Sequence, residues 1–116
     1  MVINGVEFEF DVNDVELMEK VEKNIREKFE DLEEKETYAE SIRYFCTKVF
    51  EFFDETFGEG MAVKLFGTKV NYKVCSDALL DFREQYDKAV METNQELHKR
   101  LDKYSPNRAA RRSAKK

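Results

Sequence analysis

The sequence has few of the residues that interrupt helices: its 116 residues include one proline and four glycines. A β-sandwich or barrel needs a turn rich in glycine or proline every ~8–12 residues. The scarcity therefore disfavours those folds and permits long helices. Tryptophan is absent while phenylalanine occurs ten times, which predicts a core built largely from phenylalanine. The length predicts a single domain.

Two cysteines and one histidine are too few for a disulfide framework or a zinc site. Cys46 and Cys75 fall on apolar helical stripes, where we expect reduced and buried thiols. His98 has no cysteine or histidine at ligand spacing. Adjacent carboxylates such as Asp54 and Glu55 are expected by chance in a chain that is 39% charged. Because no motif of a catalytic class is present, we expect no catalytic residue, no metal site and no cofactor.

Long apolar runs are also missing. No stretch approaches the ~18 apolar residues of a membrane span. Glu7 and Glu9 interrupt any signal-peptide core after Met1. We therefore expect no membrane association and a cytoplasmic location.

Charge is unevenly distributed along the chain. Residues 1–107 hold 15 Lys/Arg and 25 Asp/Glu, a net charge of −10, and residues 108–116 hold five basic residues and no acid, a net charge of +5. We predict a single helical domain over residues 1–107 and a mobile basic tail over residues 108–116. The tail carries Arg108, Arg111, Arg112, Lys115 and Lys116. It has no interleaved aromatic residues and follows an acidic body, so nucleic acid is a disfavoured partner.

The pattern along the domain predicts one hairpin and four helices. Asn4-Gly5 is a strong two-residue hairpin signal, and apolar and acidic residues alternate over positions 6–10. The predicted helices run from a cap at Asn13 to residues 33–36, from a capping box at Thr37 to Gly58, over residues 61–66 between glycines, and from about Asn71 to Tyr104. This predicts a mainly α fold with a small N-terminal β-hairpin over residues 1–10 (α+β), in which the hairpin packs on a bundle of about four helices.

A short region around a glycine turn, residues 50–66, is crowded with large apolar side chains. They exceed what one helix face can bury, which favours an interaction surface. The alternative interpretation is that they form the core. The candidate partner-binding residues are Phe50, Phe53, Phe57, Met61, Leu65 and Phe66.

Three segments together resemble the tail assembly chaperones of long-tailed (siphophage-like) phages and prophages of Gram-positive bacteria. They are residues 3–10 followed by an acidic helix, residues 57–67 with Cys75, Asp77, Ala78 and Phe82 downstream, and residues 106–112. The resemblance implies a non-enzymatic protein in the bacterial host cytoplasm. Such a protein coats the long helical tape-measure protein, keeps it soluble, and gives way as the tail tube polymerises.

The resemblance names the tape-measure protein, or another helical tail protein, as the partner, and self-association is a second expectation. Two other functions stay open. One is a small nucleic-acid-associated or regulatory protein that uses the basic tail, and the other is a structural component of the phage tail or of head completion. The acidic body argues against the first, because DNA binding would be weak and lost at ordinary salt.

Overall fold

A two-stranded hairpin packed against four helices makes up the fold, as the computed structural model of residues 1–104 describes it. The predicted basic tail, residues 108–116, lies outside the described residues. The elements are strands β1 (Val2–Ile3) and β2 (Val6–Glu7) and helices α1 (Val15–Phe29), α2 (Tyr38–Phe57), α3 (Met61–Phe66) and α4 (Tyr72–Tyr104). The predicted fold class is confirmed.

The hairpin turns at Asn4 and Gly5, as the sequence predicts. Their φ angles are 50° and 74°, and positive φ at both central residues is what a type I′ turn requires. The ladder is shorter than the alternation suggests, because each strand has two residues. Phe8 and Phe10 lie beyond β2 but still pack against the core.

Contacts with the helices hold the hairpin in place. Ile3 is 1% exposed. The Asn4 side-chain amide donates to the Leu65 carbonyl oxygen at 3.2 Å, and the Gln85 amide donates to the Val2 carbonyl oxygen at 2.8 Å. An isolated two-stranded hairpin is marginal in water, so this packing is what stabilises it.

Helix α1 begins one residue later than predicted. The Asp14 carboxylate accepts hydrogen bonds from the backbone N–H groups of Glu16 and Leu17, at 3.0 and 3.4 Å. Asn13 donates instead to the carboxylate of Asp11. The N-cap is therefore Asp14 rather than Asn13.

The same helix also ends earlier than predicted, at Phe29 rather than within residues 33–36. Four of the five residues over 30–34 are acidic, and negative charge is unfavourable at the C-terminal end of the helix macrodipole. Leu32 continues the helical spacing of Ile25 and Phe29 in the sequence, yet it is 46% exposed.

The boundaries of α2 and α3 follow the predicted caps and glycines. The Thr37 hydroxyl accepts from the Glu40 N–H at 3.1 Å, and Gly58 ends α2 with φ of 118°. The Asp54 carboxylate accepts from the Ala62 N–H at 2.8 Å. Asp54 therefore ties the end of α2 to the start of α3.

The core lies where the hairpin and helices meet around Phe82. This ring is 1% exposed, and its centroid is 5.2 Å from that of Phe52 and 6.0 Å from that of Phe10. Cys46 and Cys75 are free and buried, as predicted. The core is built largely from phenylalanine.

One buried polar pair and one ion-pair cluster join α1 to α2. The Asn24 side-chain amide donates to the Thr56 hydroxyl at 2.9 Å, and both residues are buried. Lys28 Nζ lies 3.1 Å from a Glu51 carboxylate oxygen and 2.6 Å from one of Glu55. These directional contacts fix how α1 sits on α2.

Candidate functional site

The residues predicted from the sequence to bind a partner lie within the core or against it. Phe53, Leu65 and Phe66 are at most 8% exposed, and the remaining three, Phe50, Phe57 and Met61, are half-buried and packed against the core. The surplus of apolar side chains is covered from within the chain; the hairpin, for example, brings the ring of Phe8 to 4.8 Å from that of Phe57. Burial favours the core interpretation, so we sought exposed apolar surface elsewhere.

The second half of α4 extends past the core. The 33-residue helix is about 50 Å long at 1.5 Å per residue. Tyr86 is the last residue of α4 that belongs to the core cluster or packs against it, so about 27 Å of helix continues beyond it. We call residues 87–104 the distal half of α4.

The distal half carries an apolar stripe of its own. Spacings of three and four residues place side chains on one side of a helix. The stripe continues from the core and consists of Tyr86, Val90, Thr93, Leu97, Leu101 and Tyr104. Val90, Leu97 and Tyr104 are 37%, 51% and 83% exposed. Such a stripe, if uncovered, is typical of a surface that meets another helix.

The start of α1 and the segment before it run beside this stripe and leave a groove. Two adjoining depressions share Val12, Thr93 and Leu97 in their walls. The apolar side chains of this α1–α4 groove are Val12, Met18, Tyr86, Val90 and Leu97. Val12 and Met18 are half-buried. The groove is open to solvent.

Carboxylates rim the groove. Glu22 stands on the α1 side, and Glu92 and Glu96 stand on α4. Arg100 is paired with Glu96, with 3.2 Å between Nε and Oε1. Burial, supported by the nearby Glu22 charge, raises the pKa of Tyr86. Tyr86 lines the groove, and a phenol hydroxyl can donate or accept a hydrogen bond.

The adjacent carboxylates considered in the sequence have structural roles. Asp54 caps α3, and Glu55 is paired with Lys28. Over residues 1–104, no three Asp, Glu, His or Cys side chains are grouped so as to hold a metal ion. In the same range, no helix is both long and apolar enough to cross a membrane. The lone histidine, His98, is exposed on the distal half of α4.

The groove combines residues that sequence reasoning only partly identified. The α4 stripe follows the three- and four-residue spacing that the sequence itself contains. Val12 was missed although it continues the alternation of Val6, Phe8 and Phe10, because the predicted hairpin ended at residue 10. The length of α4 is the signal that could have indicated a groove. Helix α4 has 33 residues and α2 has 20, so α2 is too short to cover the whole of α4.

A family model matches residues 4–115 of the chain, and it describes a family of unknown function, DUF6673. The chain belongs to this family. Searches of curated proteins and of solved structures gave no match. The DUF6673 match begins at the hairpin turn and spans β2, all four helices and residues 108–115 of the basic segment. Because the family carries no assigned function, the groove is the main guide to what the protein does.

Proposed function

We propose that the protein is a non-enzymatic tail assembly chaperone, which binds the tape-measure protein of a long-tailed phage and keeps it soluble in the bacterial host cytoplasm during tail assembly. The observation that supports this proposal is the α1–α4 groove, an open apolar channel between carboxylate rims. It suits a helix with an apolar stripe flanked by polar or basic residues.

The groove fits a recognised way of binding helices. An amphipathic helix lays its apolar face into a hydrophobic groove, with anchors spaced by three and four residues. A tape-measure protein is a long helical client of this type. Because the groove is open, a client longer than the groove can bind without its ends being enclosed.

The small apolar area of the groove also suits a contact that must be released. Burying one side chain such as Leu97 contributes ~2 kcal/mol, and association itself costs several kcal/mol. A few such anchors give modest affinity per binding site. Several copies along one client would cover its stripe, and polymerising tail tube could displace each copy.

Co-expression tests the proposal. A tape-measure protein encoded beside this gene should be soluble with the wild-type chain and insoluble without it. Leu97→Asp should abolish this rescue, because it places a charge among the apolar side chains of the groove. Met91→Asp is the matched control, since Met91 is 56% exposed on another face of the same helix, and it should rescue as well as wild type.

Two outcomes would count against the proposal in different ways. If the wild-type chain does not solubilise the client, the proposed function is wrong. If Leu97→Asp is folded by circular dichroism and still rescues, the groove is not the binding site. The half-buried Ile25 and Phe29 on α1 would then be the next surface to test.

A further inference from the structure

We infer that the distal half of α4 docks antiparallel against the same half of a second copy of this chain, with each apolar stripe entering the other copy's α1–α4 groove. The inference concerns the free protein and uses the groove already described. Only its consequence for client binding rests on the proposed function.

Charge along α4 selects this partner and this direction. Residues 81–96 hold five acids and two bases, a net charge of −3, while residues 97–104 hold three bases and one acid, a net charge of +2. In a parallel pair, like-charged segments would face each other. In an antiparallel pair, the basic end of each helix lies beside the acidic segment of the other, which favours association.

The spacing of the stripe fits the same arrangement. A two-fold axis at residue 95 places Tyr86 opposite Tyr104 and Thr93 opposite Leu97, and it places Val90 one position from Leu101 of the other copy. Apolar side chains at three- and four-residue spacings are what two helices need to interlock. A self-complementary patch of this type produces a closed dimer rather than a filament.

The size of the patch makes the dimer reversible. The stripe spans about 27 Å of helix, and stable interfaces bury roughly 1,200 Å² or more in total. The interface proposed here consists of one helical stripe and two side chains from the α1 side of each copy. We expect the area that it buries to lie at the low end of that range. We therefore expect an equilibrium between monomer and dimer that depends on concentration.

The arrangement has a consequence for the proposed function. A second copy would cover Val90 and Leu97 until a client helix replaces it. Dimer formation would then protect the free protein from aggregating through its apolar stripe. The client helix and the second copy would compete for the same groove.

Sedimentation velocity over a concentration series of the full chain tests the inference without any client. The wild-type chain should pass reversibly from monomer to dimer. Leu97→Glu should raise the dimer dissociation constant by at least about tenfold, as expected from losing one buried apolar anchor. Met91→Glu, on another face of the same helix, should leave the constant unchanged.

A charge exchange tests the direction of the helices. The two-fold axis at residue 95 places Asp87 opposite Lys103 of the other copy. Asp87→Lys and Lys103→Glu should each weaken the dimer, because each creates a like-charged pair. The double variant should restore it. A parallel dimer would show no such restoration.

Three outcomes would overturn the inference. The first is a wild-type chain that stays monomeric throughout the series, and the second is a dimer unaffected by Leu97→Glu. The third is loss of the dimer in a variant that ends at Tyr104, which would assign the groove to the basic tail. Each can occur whether or not a tape-measure protein is solubilised, so failure here is distinct from failure of the proposed function.

Discussion

The two halves of α4 form one helix with one periodic stripe, yet they have different surroundings. The first half buries Cys75, Ala78 and Phe82 beneath the hairpin and α2, while the distal half leaves Val90 and Leu97 exposed. The periodicity is the same on both sides of Tyr86. Spacing thus shows that a helix has an apolar face, but only the neighbouring elements decide whether that face is core or binding surface.

The largest expected difference between the halves is in the free energy of unfolding. Phe82→Ala should lower it by about 3–5 kcal/mol, because the ring is buried among five other aromatic rings and its loss leaves a cavity. Leu97→Ala should change it by no more than ~0.5 kcal/mol. Urea denaturation at concentrations that keep the protein monomeric measures both. Similar losses for the two variants would mean that the distal half is packed within the monomer.

A smaller loss in the free energy of unfolding is expected when the buried pair of Asn24 and Thr56 is broken. Asn24→Ala should cost about 1–3 kcal/mol, because it leaves the Thr56 hydroxyl buried without its donor. The double variant Asn24→Leu/Thr56→Val should recover most of this loss, since neither polar group then remains. Thr93→Val on the distal half is the matched control and should stay within ~0.5 kcal/mol of wild type. A double variant no better than Asn24→Ala would show that the pair matters through shape rather than hydrogen bonding.

The smallest loss in the free energy of unfolding is expected from breaking the ion pairs of Lys28, and its pH dependence distinguishes it from the other losses. The hydrogen bond that Lys28 donates to the Glu55 carboxylate, supported by Glu51 and opposed by burial, raises the pKa of Lys28 above its ordinary value of 10.5. The stabilisation is therefore fully present below pH 10.5 and is lost as the pH rises through the raised pKa.

Lys28→Met should reduce the free energy of unfolding by up to ~1 kcal/mol at neutral pH, because the glutamate partners are half-exposed. The difference between wild type and variant should shrink above pH 10.5. Arg100→Met removes an exposed pair on the distal half and should cost less. A wild-type advantage that persists at pH 12 would show that Lys28 acts through its alkyl chain.

The elements of the fold were predictable where local chemistry decides them. The Asn4-Gly5 turn, the Thr37 cap and the Gly58 stop each satisfy backbone requirements that short sequence patterns reveal. The end of α1 was not predictable from its stripe, because Leu32 continues the pattern but finds no neighbour to cover it. In that segment, the acidic residues beyond Phe29 outweigh the apolar spacing.

The candidate site was harder to predict because it depends on tertiary placement. The crowded residues 50–66 suggested a surface, yet the hairpin supplies Phe8 and Phe10 to cover much of that region. The groove arises instead where Val12 comes beside Leu97, 85 positions along the chain. Residues so far apart leave no joint pattern in one sequence.

The two buried thiols allow the transient separation of α2 from α4 to be measured. Cys46 lies on α2 and Cys75 on α4, and both are buried. Burial, together with the hydrogen bond between the two side chains, raises the pKa of Cys75 to about 12. At neutral pH it is therefore a thiol rather than the reactive thiolate. An alkylating reagent can reach Cys75 only while α2 and α4 are separated. The labelling rate of Cys75 therefore reports how readily the two helices separate, without any added probe.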